Sequence, residues 1–171
     1  TITDDSEGEV ISTADASQIA DSEIEGILKA MIGTISQRPS SVSAVKVGGE
    51  RAYDRVRAGE TFELAAREVT ITQLDIQAIR HLEKTTEIDI AVTCSAGTFI
   101  RAIARDLGNA LSVGGHLSAL RRTRVAGFTE NQAISFESLK AQNFAPLDLA
   151  DVARATFTSR ELTLEEVQEL S

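Results

Sequence analysis

The sequence predicts an α/β (α+β) domain organised around an antiparallel strand pair, and three patterns carry that reading. Ile24, Ile27, Leu28, Met31 and Ile32 fall at i, i+3, i+4, i+7 and i+8, the stripe of an amphipathic helix facing a core. Val69 and Ile71, then Ile88, Ile90, Val92 and Cys94, alternate with polar residues as half-buried strands do. From Ile100 the period returns to that of a helix, with Ile100, Ile103, Ala104 and Leu107 as the buried stripe.

Boundaries follow from local chemistry. Asp4 to Gly8 reads as an acidic turn, and Glu9 to Ser12 as the start of a strand. Ser22 and Glu25 have the spacing of a capping box for the first helix, and Gly33 stands where a left-handed C-terminal residue belongs. Gln37 to Gly59 differs in character: an irregular start, a short strand from Val42 to Val47, a Gly48-Gly49 turn and a short basic helix from Arg51 to Ala58. Ser95 to Gly97 turns the chain into the second helix, which Gly108 closes, with Arg101 and Arg105 together on its polar face. After Gly114-Gly115-His116 the run Leu117 to Val125 reads as a strand carrying arginines. Short helices from Ser135 to Ala141 and Leu147 to Ala153 follow, and Thr163 with Glu166 caps a last helix that has only begun at Ser171. With Thr1 in first place as well, the chain reads as a fragment cut at both ends.

Composition narrows the function classes. A chain of 171 residues, 42% hydrophobic and 25% charged, is the profile of one ordinary globular domain. No apolar run approaches the roughly 18 residues of a membrane span. The single cysteine, Cys94, cannot form an internal disulfide and reads as a packed core thiol; with no basic flank before an apolar stretch at the N-terminus, the cytoplasm is the expected compartment. His81 and His116 stand apart from any cysteine or paired acid, so a metal is not expected, and phosphate loops and dinucleotide fingerprints are missing.

Charge is unevenly spread beneath the net −9. Residues 1–28 carry −8, residues 29–128 carry +4 and the remainder −5. Between residues 90 and 128, Arg101, Arg105, Arg121, Arg122 and Arg124 face Asp106 alone, and Asp106 reads as a local cap or pair. Arginine's planar fork suits phosphate, carboxylate and stacked bases. For any one of these arginines a solvated surface is the better account, while the cluster Arg121-Arg122-Thr123-Arg124 favours an anionic ligand. Lys46, Arg51 and Arg55, with Tyr53 interleaved, read either as an RNA-facing set or as the wet side of a loop; His116 is either a turn residue or a phosphate donor. On residues alone the reading stops at an α/β domain with one arginine-rich face.

Three strings carry it further. Ser95-Ala-Gly-Thr-Phe-Ile-Arg-Ala-Ile-Ala-Arg-Asp-Leu-Gly108, followed by Gly114-Gly-His-Leu-Ser-Ala-Leu-Arg-Arg-Thr-Arg-Val125, resembles a block of the bacterial TruB family of tRNA pseudouridine synthases. Gln37 to Gly59, with its Ser-Ala-Val-Lys-Val core, resembles that family's RNA-binding insertion, and Thr3 to Ile11 the stretch just after its active-site block. The resemblance implies a mixed, mainly antiparallel sheet with flanking helices, the second half of a pseudouridine synthase catalytic domain over residues 1–156. Residues 37–59 would be its RNA-binding thumb, and 157–171 the start of a C-terminal RNA-binding extension.

It further implies cofactor-free isomerisation of uridine 55 in the T-loop of tRNA, on a base flipped out of the stack. The catalytic aspartate belongs to a G-x-L-D-x-x-A-x-G loop; Asp75, Asp89, Asp148 and Asp151 have no such setting, so the chain is expected to lack it and to be inactive alone. Arg101 matches the arginine that pairs with that aspartate and is expected here without its partner. Phe99 stands where the family usually has a tyrosine near the flipped base. Leu120 matches an apolar residue lining the uracil pocket, with a core strand position equally open. Lys46, Arg51, Arg55, His116, Arg121 and Arg122 are the implied contacts to the tRNA T-arm backbone. The thumb is expected to be mobile without RNA, and the open sheet edge to promote self-association. A second reading, an RNA-binding module that grips without chemistry, stays beside the enzyme, and a generic oligomerising domain explains the charge map less well.

Overall fold

The computed structural model describes residues 1–40, 46–47, 50–51 and 64–169. They fall into two compact units, Thr1–Ala119 and Leu120–Ser171.

The first unit contains α1 (Asp21–Ala30), β1 (Gly33–Gln37), β2 (Lys46–Val47), β3 (Glu50–Arg51), β4 (Arg67–His81), β5 (Thr86–Cys94) and α2 (Ile100–Ala110). Its main sheet has the order β1-β4-β5 and is antiparallel throughout, while β2 and β3 pair separately as Lys46↔Arg51 and Val47↔Glu50. Val42 to Ala44, Gly48, Gly49, Tyr53 and Arg55, and with them most of the expected basic helix, lie outside the described residues; Arg51, its expected first residue, is in a strand.

Alternation sets the sheet's inner face. Ile71↔Cys94, Leu74↔Val92, Ile76↔Ile90 and Ile79↔Ile88 are cross-strand pairs, and all eight side chains join one cluster with Ile24, Leu28, Ile103 and Leu107 of the helices. Cys94 is thus a packed, half-buried thiol. On β4 the inner residues do not keep strict period two, because Thr72 and Gln77 are extra residues with no partner on β5. Complete burial of Ile24, Leu28, Ile71 and Ile103 contributes about 1.5–3 kcal/mol each.

Several boundaries differ from expectation. The first helix begins two residues earlier, with Ala20 at the N-cap and the Glu23 carboxylate accepting the Ala20 N–H at 3.3 Å, so Ser22 lies inside the helix. Its first residue, Asp21, is bound at 2.8 Å by His81 from the far end of β4, which gives the earlier start a tertiary anchor. Glu9 to Ser12 forms no strand, and Val10 and Ile11 are exposed. Leu117 to Val125 is not one strand: only Arg124–Val125 (β6) pairs, with Phe128–Thr129 (β7). The second unit continues with a 3-10 turn at Glu130–Gln132, then α3 (Phe136–Lys140), α4 (Leu149–Thr156) and α5 (Leu164–Glu169). Thr163 and Glu166 do form the expected cap of α5. No helix among the described residues is long and apolar enough to cross a membrane.

Gly108 does not close α2; the helix runs two residues past it. Its hydrogen is instead a packing requirement, since a Cβ there would stand 2.1 Å from the Gly114 carbonyl carbon and 2.2 Å from the Gly115 nitrogen. A Cβ on Gly115 would in turn meet the Ala104 carbonyl oxygen at 2.3 Å. Backbone against backbone cannot yield as a flexible side chain does. We expect Gly108→Ala to destabilise the chain by about 1–3 kcal/mol despite alanine's helix preference. Gly26→Ala in α1, where a Cβ meets nothing within 4 Å, should stabilise it by about 0.5–1 kcal/mol. Urea denaturation of the two variants measures both signs.

Candidate functional site

The start of α2 is set by the turn that ends β5. Ser95 continues the ladder, its N–H donating to the Thr70 carbonyl at 2.8 Å while its hydroxyl accepts the Thr70 N–H at 3.0 Å. Gly97 then takes φ +83, a left-handed conformation that suits glycine. Phe99 caps the helix in an extended conformation, and its N–H donates to Gln37 Oε1 at 2.9 Å. Gln37, the last residue of β1, is 1% exposed. That bond fixes which end of its amide is oxygen, and its Nε2 has no hydrogen-bond partner among the described residues. A buried donor so placed costs about 1–3 kcal/mol.

The N-terminal turn is folded onto the same helix. Asp4 has φ +57, and the Asp5 backbone bridges in parallel to Leu117, with Leu117 N–H donating to Asp4 at 2.9 Å and Ser6 N–H to Leu117 at 2.9 Å. The glycine contact between α2 and residues 114–115 lies just ahead of Leu117 in the chain. The result sets two successive carboxylates against two arginines one helical turn apart: Arg101 Nη2 lies 2.6 Å from Asp5, and Arg105 Nη1 lies 3.2 Å from Asp4. Arg101, expected here without the catalytic aspartate, is paired with a different carboxylate, that of Asp5. The reason is tertiary: the acidic turn is brought to α2 by a backbone bridge to a residue far away in sequence.

Asp5 is 7% exposed. The Thr3 hydroxyl, donating at 2.6 Å, is the foremost influence holding its carboxyl below the ordinary aspartate range. Burial opposes this, and the Glu7 amide at 3.1 Å and the Arg101 guanidinium add to it. The arrangement is a buried carboxylate kept ionised beside a half-exposed guanidinium.

The other expected residues are more scattered. Asp75 accepts from Gln73, Asp89 is held by both prongs of Arg80 at 2.7 and 2.9 Å, Asp148 caps α4 and Asp151 pairs with Arg154. Each has a local structural task. Asp106 pairs with Arg105 at 2.8 Å, as its position on the helix implies. His116 is exposed beside the glycine contact; Lys46 and Arg51 are backbone partners in the short hairpin, and Arg55 lies outside the described residues. In the second unit Leu120 is 58% exposed and outside any strand, so the core strand position does not hold. Arg121 is ion-paired to Glu130, whose carboxyl it lowers, while Arg122 and Arg124 are exposed.

Residues 1–100 match the family model described as the TruB family pseudouridylate synthase N-terminal domain, and residues 101–154 match that of the tRNA pseudouridylate synthase B C-terminal domain. The chain belongs to the TruB family of pseudouridine synthases. It is 49% identical to a tRNA pseudouridine synthase B from an Arthrobacter species over all of this chain and 56% of that protein. It is 46% identical to one from Nocardia farcinica over 99% of this chain and 56% of that protein. The chain thus spans a little over half the length of these curated relatives. Among solved structures, a chain of a Cbf5-Nop10-Gar1 complex aligns with a TM-score of 0.54 and 27% identity, over 74% of this chain and 32% of that one.

Within this TruB chain the residues that sequence reasoning missed are Thr3, Asp4, Asp5, Gln37 and Arg105. One signal was present: adjacent acids at 4 and 5, and arginines at 101 and 105 on one helix face. A carboxyl whose folded pKa lies below its unfolded value stabilises the fold above about pH 3.9 and loses that contribution as pH falls through the folded value. We expect Thr3→Val to be less stable than the parent by about 1–3 kcal/mol at pH 6. The gap should close below about pH 4 as Asp5 is protonated. Denaturation at pH 6 and at pH 3 compares the two; an equal gap at both would place the cause away from Asp5.

Proposed function

We propose that the protein carrying this chain is a tRNA pseudouridine synthase B that converts uridine 55 of the T-loop to pseudouridine, in the cytoplasm and without a cofactor. The observation that carries this is the Asp5–Arg101 pair at the start of α2, next to Phe99, in a chain of this family. In the reaction the N1–C1′ bond breaks, the uracil rotates, C5 bonds to C1′, and the proton lost from C5 is balanced by one gained at N1. Nothing is added to or removed from the substrate overall, so the reaction calls for no co-reactant, only a carboxylate to assist cleavage of the N1–C1′ bond and groups that move the proton.

Arg101 aims the catalytic aspartate, which a segment outside these 171 residues supplies. A guanidinium carries five donors, enough for two carboxylates, and Asp5 fixes the plane in which it presents them. Phe99 gives the flipped base a ring face and no proton. Lys46, Arg51, Arg55, His116, Arg121 and Arg122 grip the T-arm through its phosphates; the exposed Arg121–Glu130 pair is weak enough to exchange for one. Residues 1–156 act as part of the catalytic domain, with 157–171 leading into a further RNA-binding segment. Both family models and the curated relatives are named for synthases, which leaves the grip-only module without support from them.

The test is pseudouridine formation in a T-arm hairpin by this chain and by the protein extended upstream to the length of its relatives. We expect turnover from the extended form alone. Turnover by the 171-residue chain would overturn the assignment of an external aspartate and make Asp5 the first suspect. In the extended form, Arg101→Lys should lower kcat on the order of 100-fold, since a lysine cannot hold a carboxylate in a fixed plane. Arg122→Gln should instead weaken hairpin binding and reduce the slope of log K against log salt by about 1.

A further inference from the structure

Arg105 has no place in the chemistry above, yet it joins three segments. Its Nη1 lies 3.2 Å from Asp4 on the N-terminal turn, its Nε and Nη2 lie 2.9 and 2.8 Å from Asp106 on its own helix, and its Nη2 donates to the carbonyl of Arg38 at 2.8 Å. Its side chain is 22% exposed, well below Arg101's 42%. Arg38 immediately follows β1, at the root of the segment that carries Lys46 and Arg51. Two more bonds hold the same root: Gln37 Oε1 receives the Phe99 N–H at 2.9 Å, and the Ser40 hydroxyl donates to the Thr3 carbonyl at 3.3 Å, with Ser40 buried. Besides the sheet pairing of Gln37 with Arg67, these three bonds tie residues 37–40 to the N-terminal turn and to α2 with its cap, the two segments that form the Asp5–Arg101 pair.

We propose that Arg105 is a positioning residue for RNA binding, fixing the Arg38 carbonyl, and so the root of the insertion, in register with Asp5–Arg101. Of the three moorings, Arg105 alone is charged, and the carboxylates of Asp4 and Asp106 fix its plane from two sides. Lysine has one nitrogen for these tasks and cannot serve two carboxylates and a carbonyl in that geometry. A side chain so engaged leaves substrate phosphates to others. The inference rests on the synthase reading for its readout.

The experiment uses the protein extended to the length of its relatives, with Arg105→Met and Arg105→Lys, assayed for pseudouridine formation in a T-arm hairpin, for hairpin affinity against salt, and for Tm. Arg105→Met should raise KM and hairpin Kd about tenfold, the loss of one charged bond, with kcat within about threefold of the parent. The salt slope should be unchanged, because Arg105 neutralises no phosphate. Arg105→Lys should recover much of the lost Tm through Asp4 while KM stays raised, and it carries the test should Arg105→Met not fold. A slope reduced by about 1 would make Arg105 a direct phosphate contact and overturn the proposal. So would a lowered Tm with parental KM well below the transition, which is a structural role only. An inactive parent protein would instead overturn the synthase reading, in which case hairpin affinity of the variants still decides whether Arg105 positions the root.

Discussion

Two adjacent carboxylates meeting two arginines on successive turns of one helix are the constraint around which the first unit is arranged. Consecutive side chains in extended backbone point apart, so Asp4 and Asp5 can both face α2 only if the chain turns sharply between them. The left-handed conformation of Asp4 makes that turn, and aspartate is among the few residues with a Cβ that enter it readily. The turn is then held by its backbone bridge to Leu117, and Leu117 follows a stretch that reaches α2 because Gly108 and Gly115 carry no side chain. Glycines, left-handed aspartate and ion pairs are thus one device.

The energetic sense of that device is geometry rather than bulk stability. A half-exposed guanidinium beside a buried carboxylate gains Coulomb energy that desolvation largely offsets. What remains is direction: Thr3 and Glu7 fix the Asp5 oxygens, Asp5 fixes Arg101, and Gln37 fixes the backbone of Phe99 two residues earlier. The unmatched Nε2 of Gln37 shows the same preference, a buried donor left over where one amide is committed to holding a helix start.

Elements whose signal is local were legible in the sequence. The alternation of β5 and the helix of α2 come from contacts that repeat every few residues and stand where the pattern places them, although on α2 it is Ala102 with Ile103 and Leu107, not Ala104, that is buried. The arginine strand failed because Arg121, Arg122 and Arg124 lie in a loop and a two-residue edge pair, where charge rather than alternation set the composition. The capping box at Ser22 failed because a competing one, with Glu23, begins two residues earlier and Asp21 has His81 to hold it. The Asp5–Arg101 pair spans most of the first unit, and no periodicity connects an acidic turn to a helix that distant. Gly108 was misread for a related reason: a glycine near a helix end has the same letter whether it ends the helix or admits a neighbour.

The unpaired residues of β4 bear on how this hairpin tolerates changes in length. Ile71–His81 is two residues longer than the Thr86–Cys94 stretch it faces, and the surplus sits at Thr72 and Gln77. Losing either would leave these inner pairs facing their present partners and would straighten the strand. Losing Asp75 would instead pull Ile76 out of step with β5, because no surplus residue stands between Leu74 and Ile76. A one-residue deletion is therefore absorbed at either bulge, where length is free to vary while the core face is not.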